Sequence, residues 1–364
     1  MSTSPSPVLV TGAFGNVGRH TIPVLVAAGR AVVATDLRTP ATEQTAQRMV
    51  QELEGRVEVR WADLTAPAVV TDLVHDVAPS GVVHLAAIIP PGTYVHPDLA
   101  RRVNVDVVRH VVDAVESLGQ PCRLLFASSI ATYGSRNPHT MPPVDADTPA
   151  LPRELYGAHK VEAEAIIRAS PLDWSILRLG AVVFHDMSLA MDLGSIHLEA
   201  LLPTDGRVHA VDGRDVARAF ASALDAPCSG RTLLIGGDDS HRMTQREFAV
   251  GISTAAGLRG GIPEGRPGDP DDDTAWFAVD WMATSEAQRL LGFQQVTWEQ
   301  TLADLASHVG VVRHALPLAA PLVRVLLGLR SPHRGAAPGP AQPWAGIAAR
   351  WGENTIVTPT APES

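Results

Sequence analysis

Short apolar runs alternate along this chain with segments whose apolar residues recur every three to four positions. Residues 7–11 form an apolar run that stops at Gly12, and the residues after Gly18 keep helical spacing to about Ala28 and end at Gly29. The pattern then predicts strand at 31–36, helix at 41–53, strand at 57–61, helix at 66–77, a buried strand at 81–87, a long helix at 98–118 and strand at 124–129. Ala163, Glu164 and Ala165 favour a helix around Tyr156, and residues 174–178 read as a sixth strand. Such alternation predicts an α/β protein with a doubly wound parallel sheet covered on both faces.

The first strand, turn and helix carry chemistry. In Gly12-Ala13-Phe14-Gly15-Asn16-Val17-Gly18 the glycines permit a tight turn and close backbone approach, so a pyrophosphate can sit on free N–H groups where the helix begins. The second strand ends in Asp36, eighteen residues after Gly18. A carboxylate there suits a ribose 2′-hydroxyl and repels a 2′-phosphate, which favours NAD, while Arg38 nearby leaves room for NADP. Asp63 and Leu64 follow the third strand at the sheet's carboxyl edge. His84 lies inside an apolar strand and reads as a core histidine. Tyr156 and Lys160 lie one helical turn apart, which puts an ammonium beside a phenol and favours proton transfer nearer neutral pH.

Composition narrows the partners. With 29 basic against 39 acidic residues the chain carries −10, and no basic block of the kind that tracks phosphates occurs in its body, so nucleic acid is not an expected partner. Cys122 and Cys228 make no disulfide framework, residues 1–7 show no export signal, and no apolar run reaches membrane-spanning length. The expectation is a cytoplasmic protein with a small-molecule substrate.

In order, the motifs are Thr11-Gly12-x-x-Gly15-x-x-Gly18, Asp36, Asp63-Leu64, His84-Leu85-Ala86-Ala87, Asn104, Ser128-Ser129 with Tyr133-Gly134, and Tyr156-x-x-x-Lys160. Together they resemble the extended short-chain dehydrogenases/reductases of the NAD-dependent epimerase/dehydratase group, closely over residues 7–180 and loosely over 181–310. The resemblance implies a Rossmann core with a small C-terminal substrate-binding lobe. It implies Tyr156 as acid/base, and Lys160 as holding the nicotinamide ribose and lowering the Tyr156 pKa. Ser129 would bond the substrate oxygen, with Ser128 the alternative, and Asn104 would fix a water or a backbone position. The cofactor would lie against Gly12, Gly15, Asn16, Val17, Gly18, Asp36, Arg38, Asp63, Leu64, Ala86, Tyr156 and Lys160. Family members often pair through the helices holding Asn104 and Tyr156, which implies a homodimer.

The expected organisation is a cofactor core at 1–180, a substrate lobe interleaved with returning core elements at 181–310, and a partly flexible extension at 311–364. Proline-rich residues 134–152 are a candidate pocket wall. Strand and helix are expected at 207–217 with Asp215 at the helix start, strand at 231–237, and helix at 244–256 opened by Thr244. Residues 179–184 lack the Asn and Gly-Pro segment of nucleotide-sugar enzymes. His185, His197, His209, Arg207 and Arg214 read as surface or structural, no metal site is expected, and 268–273 reads as a solvated acidic loop. Residues 312–330 are apolar with interspersed arginine. Their prolines argue against one clean amphipathic helix, and packing on the lobe is expected ahead of a subunit or membrane contact; 333–340 reads as a linker before a loose end.

The function expected is NAD(P)-dependent hydride transfer on a secondary alcohol or ketone with tyrosine acid/base catalysis. The alternatives are a nucleotide-sugar epimerase or dehydratase with transient hydride transfer, and a non-catalytic dinucleotide-sensing protein.

Overall fold

The computed structural model describes residues 6–186, 193–260, 263, 265–335 and 337–358. The N-terminal half runs β1 (Val8–Thr11), α1 (Asn16–Ala27), β2 (Val32–Asp36), α2 (Pro40–Glu52), β3 (Val57–Trp61), α3 (Pro67–Val77) and β4 (Gly81–His84). After two short helices, α4 (Gly92–Val95) and α5 (Pro97–Arg101), come α6 (Val107–Ser117), β5 (Arg123–Ser129), α7 (Leu155–Ala169) and β6 (Asp173–Leu179). The second half contributes β7 (Ala181–Val183), α8 (Leu193–Leu201), β8 (Arg207–Asp212), α9 (Gly213–Ala223), β9 (Arg231–Ile235), β10 (Arg242–Thr244) and α10 (Gln245–Ala255). The chain ends with α11 (Ser285–Leu291), α12 (Trp298–Val309), α13 (Leu316–Leu329) and α14 (Pro343–Trp351).

Seven strands form one sheet in the order β3-β2-β1-β4-β5-β6-β9, all neighbours parallel. The order reverses between β1 and β4, so their carboxyl ends splay apart and leave a crevice there. Both faces are buried. Val10, Leu125 and Leu177 point to one side, against α1 and α9, while Leu9, Leu124 and Ile176 point to the other, against α3 and α6. A smaller sheet, β10-β8-β7, starts the lobe, with β8 parallel to β7 and antiparallel to β10.

Several elements differ from the sequence expectation. β4 ends at His84 rather than running to Ala87, because the Leu85 and Ala86 amides turn to the Thr11 Oγ1 at 3.2 and 3.4 Å. The long helix expected at 98–118 is interrupted by a π turn at Arg102–Asp106. Asp215 lies in the first turn of α9 as expected, while the cap itself is Asp212, accepting from the Arg214 amide at 2.8 Å; Asp215 accepts from the Gln295 amide. Thr244 caps α10 in a capping box with Glu247.

The C-terminal extension departs further. A continuous helix, α13, forms despite Pro321, with Pro317 in its first turn where a missing N–H costs nothing. Ala320 is buried, but Leu318, Leu322, Val325, Leu326 and Leu329 are exposed, so only one side packs. Beyond the expected linker the chain returns. Trp344 and Ile347 of α14 are buried with Tyr94, Leu201 and Ala278, the Trp351 ring lies 5.3 Å from that of Tyr94, and Ile356 pairs antiparallel with Glu154. This apolar content, carried by three large side chains within eight residues, is what holds the segment down. Residues 359–364 lie outside the described part. No described helix is long and apolar enough to cross a membrane.

Candidate active site

The glycine turn sits in the crevice between β1 and β4. Gly12 has φ +61°, and a Cβ on it would stand 2.7 Å from the Ala86 backbone nitrogen; one on Gly18 would stand 2.5 Å from the Gly12 and Ala13 carbonyl oxygens. Gly15 caps α1 without a side chain, and no acid occupies the first turn, so the amides around Asn16 and Val17 stay available to an anion. Asp36, at the end of β2, accepts from the Phe14 amide at 3.0 Å and the Leu37 amide at 2.8 Å, which ties the acid to the glycine turn. Partial burial raises its pKa, opposed by those two amides. Arg38 turns away to Glu43 at 2.6 Å and is two-thirds exposed, and so stands apart from this cluster. Asp63 accepts from the Thr65 amide and hydroxyl at 3.0 and 2.7 Å, which lowers its pKa, and Leu64 is buried beside it.

The residues expected to handle protons converge at the carboxyl end of β5. Successive strand residues point to opposite faces, so Ser128 and Ser129 part ways. Ser128 is buried and donates to Glu164, whereas the half-buried Ser129 accepts from the Ala131 amide at 3.2 Å and stands beside the Tyr156 phenol. α7 is brought close by Gly157, where a Cβ would stand 2.4 Å from the Ala131 carbonyl oxygen. Lys160 is buried; its Nζ donates to the Ala127 carbonyl at 2.7 Å and stands 4.6 Å from the Phe126 ring centroid and 5.6 Å from that of Tyr156. Burial pushes the ammonium down to about 7, with Glu164 opposing. The expected lowering of the tyrosine pKa is not met in this arrangement. Burial carries the Tyr156 phenol well above its ordinary range, Ser129 works against that, and the Glu154 carboxylate adds to it. Lys160 reaches the ring face rather than the hydroxyl.

Asn104, in the π turn, clamps one backbone unit: its side chain accepts from the Ile88 amide at 2.8 Å and donates to the Ile88 carbonyl at 2.9 Å. That fixes the segment leaving β4. His84 bonds Thr11 at 2.7 Å and is driven down to about 3 by burial and by Lys160, a neutral core histidine.

Sequence reading missed two carboxylates. Glu154 is buried and caps α7, accepting from the Tyr156 and Gly157 amides at 2.6 Å each, and burial raises its pKa to about 7. Its position directly before a helix start was the available signal, although Glu is an uncommon cap. Glu164 is fully buried and grips Arg178 through two bonds of 2.9 and 2.6 Å. Nothing local marks that pair, whose partners lie on different elements.

The lobe's polar residues are structural. His209 is buried against the Gly237 carbonyl, Arg207 and Arg136 both pair with buried Asp280, Arg214 bridges Asp212 and Asp304, His197 lies edge-on to Trp351, and His185 stands against His20. No cluster of metal-ligating side chains occurs among the described residues. Residues 134–152 are pinned to the lobe, with Asn137 and Thr140 both donating to Asp273.

A parallel sheet with this strand order, a glycine turn opening α1 and an acid ending β2 define a Rossmann-type dinucleotide-binding protein. Residues 8–183 match the model of the NAD dependent epimerase/dehydratase family. The D-erythronate dehydrogenase of Cupriavidus necator is 32% identical over 183 residues, 48% of this chain and 55% of that one. The UDP-glucose 4-epimerase of Mus musculus is 32% identical over 168 residues, 44% of this chain and 48% of that one. The chain thus spans about half the length of the curated relatives it matches. Among solved structures, the UDP-glucose 4-epimerase of Stenotrophomonas maltophila, with bound NAD and formylated UDP-arabinopyranose, superposes with a TM-score of 0.69 at 21% identity, covering 85% of this chain and 99% of that one. The UDP-glucuronic acid 4-epimerase of Bacillus cereus with NAD gives 0.64 at 21% identity, covering 84% and 99%. These likenesses show the fold.

Proposed function

We propose that this protein is an NAD-dependent oxidoreductase that interconverts a secondary alcohol and a ketone on a small molecule. The observation that carries the reading is the convergence of Ser129, Tyr156 and Lys160 at the carboxyl end of β5, beside the crevice that holds the glycine turn. The residues fit a dinucleotide: Gly12 packs too close to the Ala86 backbone to carry a Cβ, the start of α1 has no side-chain cap, and Asp36 offers a carboxylate without a competing guanidinium. NAD, when bound, supplies or accepts the hydride.

The chain's residues manage the oxygen. Tyr156, kept protonated by its buried setting, donates its proton to the oxygen of a ketone and takes one back from an alcohol. Ser129 donates a hydrogen bond to that oxygen and polarises it. Lys160, anchored on the Ala127 carbonyl, lies along the face of the Tyr156 ring, where it can hold the ribose of the cofactor. Asn104 holds the Ile88 backbone, and with it the segment that flanks the site.

Support for a small substrate comes from the far side. Tyr94, whose charge interaction reaches both Glu154 and Tyr156, is covered by Trp351, and the same apolar cluster includes Ala131, two residues from Ser129. The 32% identity to D-erythronate dehydrogenase supports net redox chemistry. Equal identity to UDP-glucose 4-epimerase favours a second reading, an epimerase or dehydratase with transient hydride transfer.

The test is a titration with NADH and NADPH followed by a panel of hydroxy acids, ketones and nucleotide sugars, read at the nicotinamide absorbance. Net turnover on a small alcohol or ketone is expected, and Tyr156→Phe should lower kcat by about 10²–10⁴-fold while NADH binding is kept. Product from a nucleotide sugar without net absorbance change would favour the second reading. Binding of nucleotide with full activity in Tyr156→Phe would refute tyrosine catalysis.

A further inference from the structure

The outer face of α13 remains unaccounted for by any redox chemistry. Leu318, Leu322, Val325, Leu326 and Leu329 recur at helical spacing on one side, with Leu318 88% and Leu322 62% exposed. Val311 and Val312, in the turn before the helix, are also exposed. The opposite side, with Ala320 buried and Val323 and Leu327 half-buried, is the one that packs. At 3.6 residues per turn, Arg330, which caps the helix, falls about 95° from the middle of the exposed ridge, and the exposed Arg324 lies further round, about 145° from it.

Charge is as uneven as hydrophobicity. Between Asp304 and Glu353 the chain holds five arginines and no carboxylate, although it carries −10 overall, so the rest of the molecule stands at −15. Arg313, Arg324 and Arg330 form no ion pair with any described residue. Beside the base of α13, a groove of about 680 Å³ runs between α10 and α12 and is lined by apolar residues with Arg259, Arg313 and His314.

We propose that α13 docks the protein onto an anionic lipid surface, lying in the plane of the interface with its leucine ridge in the acyl boundary and its arginines at the headgroups. A helix with leucines on one side and arginines turned away from them, on long side chains that can reach up to headgroups, has the amphipathic form that binds such a boundary. The arginines supply the attraction to anionic lipid. A second copy of the chain is the poorer occupant. Twofold pairing of the ridge would set arginines against arginines with no carboxylate in the strip.

Flotation of the full-length protein with vesicles of phosphatidylcholine alone, or mixed with phosphatidylglycerol, tests this. Binding is expected to the mixed vesicles at low salt, with release at high salt. Leu322→Glu should abolish it, and Arg324→Gln and Arg330→Gln should each weaken it about fivefold. NADH binding and circular dichroism, unchanged in each variant, establish that the fold is intact. The proposal is overturned if the protein does not float with the mixed vesicles, or floats equally well as Leu322→Glu. It is also overturned if sedimentation without lipid shows a dimer that Leu322→Glu dissociates, since the ridge is then covered by another copy.

Discussion

Glu164, on α7 beside β5, is the partner of a buried guanidinium, and replacing it by Ala tests how much of the fold depends on that match. The carboxylate is fully buried, Arg178 is only 4% exposed, and two bonds of 2.9 and 2.6 Å join them. In Glu164→Ala the cation keeps the Tyr133 ring, 4.7 Å away, but no counter-charge, and Ser128 loses its acceptor. Arg168, also bonded to Glu164, is 39% exposed and can turn to water, so its loss counts for little. Removing one partner of such a buried pair costs about 3–5 kcal/mol, a large part of the roughly 5–15 kcal/mol that holds a domain folded. The assay is urea unfolding followed by tryptophan fluorescence, with the slope compared between variants so that only the midpoint carries the difference. The double variant Glu164→Leu with Arg178→Met removes both charges, fills a similar volume and should recover most of the loss. A cost for Glu164→Ala below about 1 kcal/mol, or a double variant as weak as the two single losses combined, would refute the argument.

Two further outcomes follow from the geometry. Gly18→Ala puts a methyl 2.5 Å from two carbonyl oxygens, so the turn must open; NADH affinity should fall at least tenfold in a fluorescence titration while the sheet stays folded. Glu154→Gln should change the pH dependence of stability. The folded carboxyl titrates at about 7 against 4.5 for a free one, so the folded chain holds a proton there that the unfolded chain has released. Wild-type stability therefore falls as pH rises from 4.5 to 7, by about 3 kcal/mol from this group, and the Gln variant should lack that slope. Unfolding midpoints of both proteins across that window, subtracted from each other, isolate Glu154 from Glu199, which burial also raises to about 7.

What the sequence made legible was local. The run from β1 through the glycine turn to Asp36 is contiguous, and each residue there has one physical demand, which the backbone meets as read. Strand alternation turns the neighbouring Ser128 and Ser129 to opposite faces, Ser128 to Glu164 and Ser129 to the Ala131 amide. What was hidden depends on distant partners. The Glu164–Arg178 pair joins α7 to β6, Arg38 is neutralised by Glu43 on the next helix, and the burial that outweighs Ser129 at Tyr156 comes from the assembled cleft. The C-terminal reading erred for a related reason. Proline and glycine at 335–340 suggested a loose end, but Trp344, Ile347 and Trp351 supply enough apolar surface to bring the segment back onto Tyr94.

That return sets an order on biosynthesis. Ile356 pairs with Glu154, the Val357 amide donates to the Arg153 carbonyl at 3.0 Å, and Glu154 in turn caps the helix that carries Tyr156. A nascent chain that has cleared the ribosome to about residue 240 holds all seven strands of the large sheet, yet the wall over Tyr94 arrives more than a hundred residues later. The glycine turn and Asp36 are thus in place before the apolar cluster around Tyr94 is complete. A tag or a proteolytic nick near residue 357 would therefore act on the Glu154 cap of α7 while leaving the glycine turn, some three hundred residues earlier in the chain, as it was.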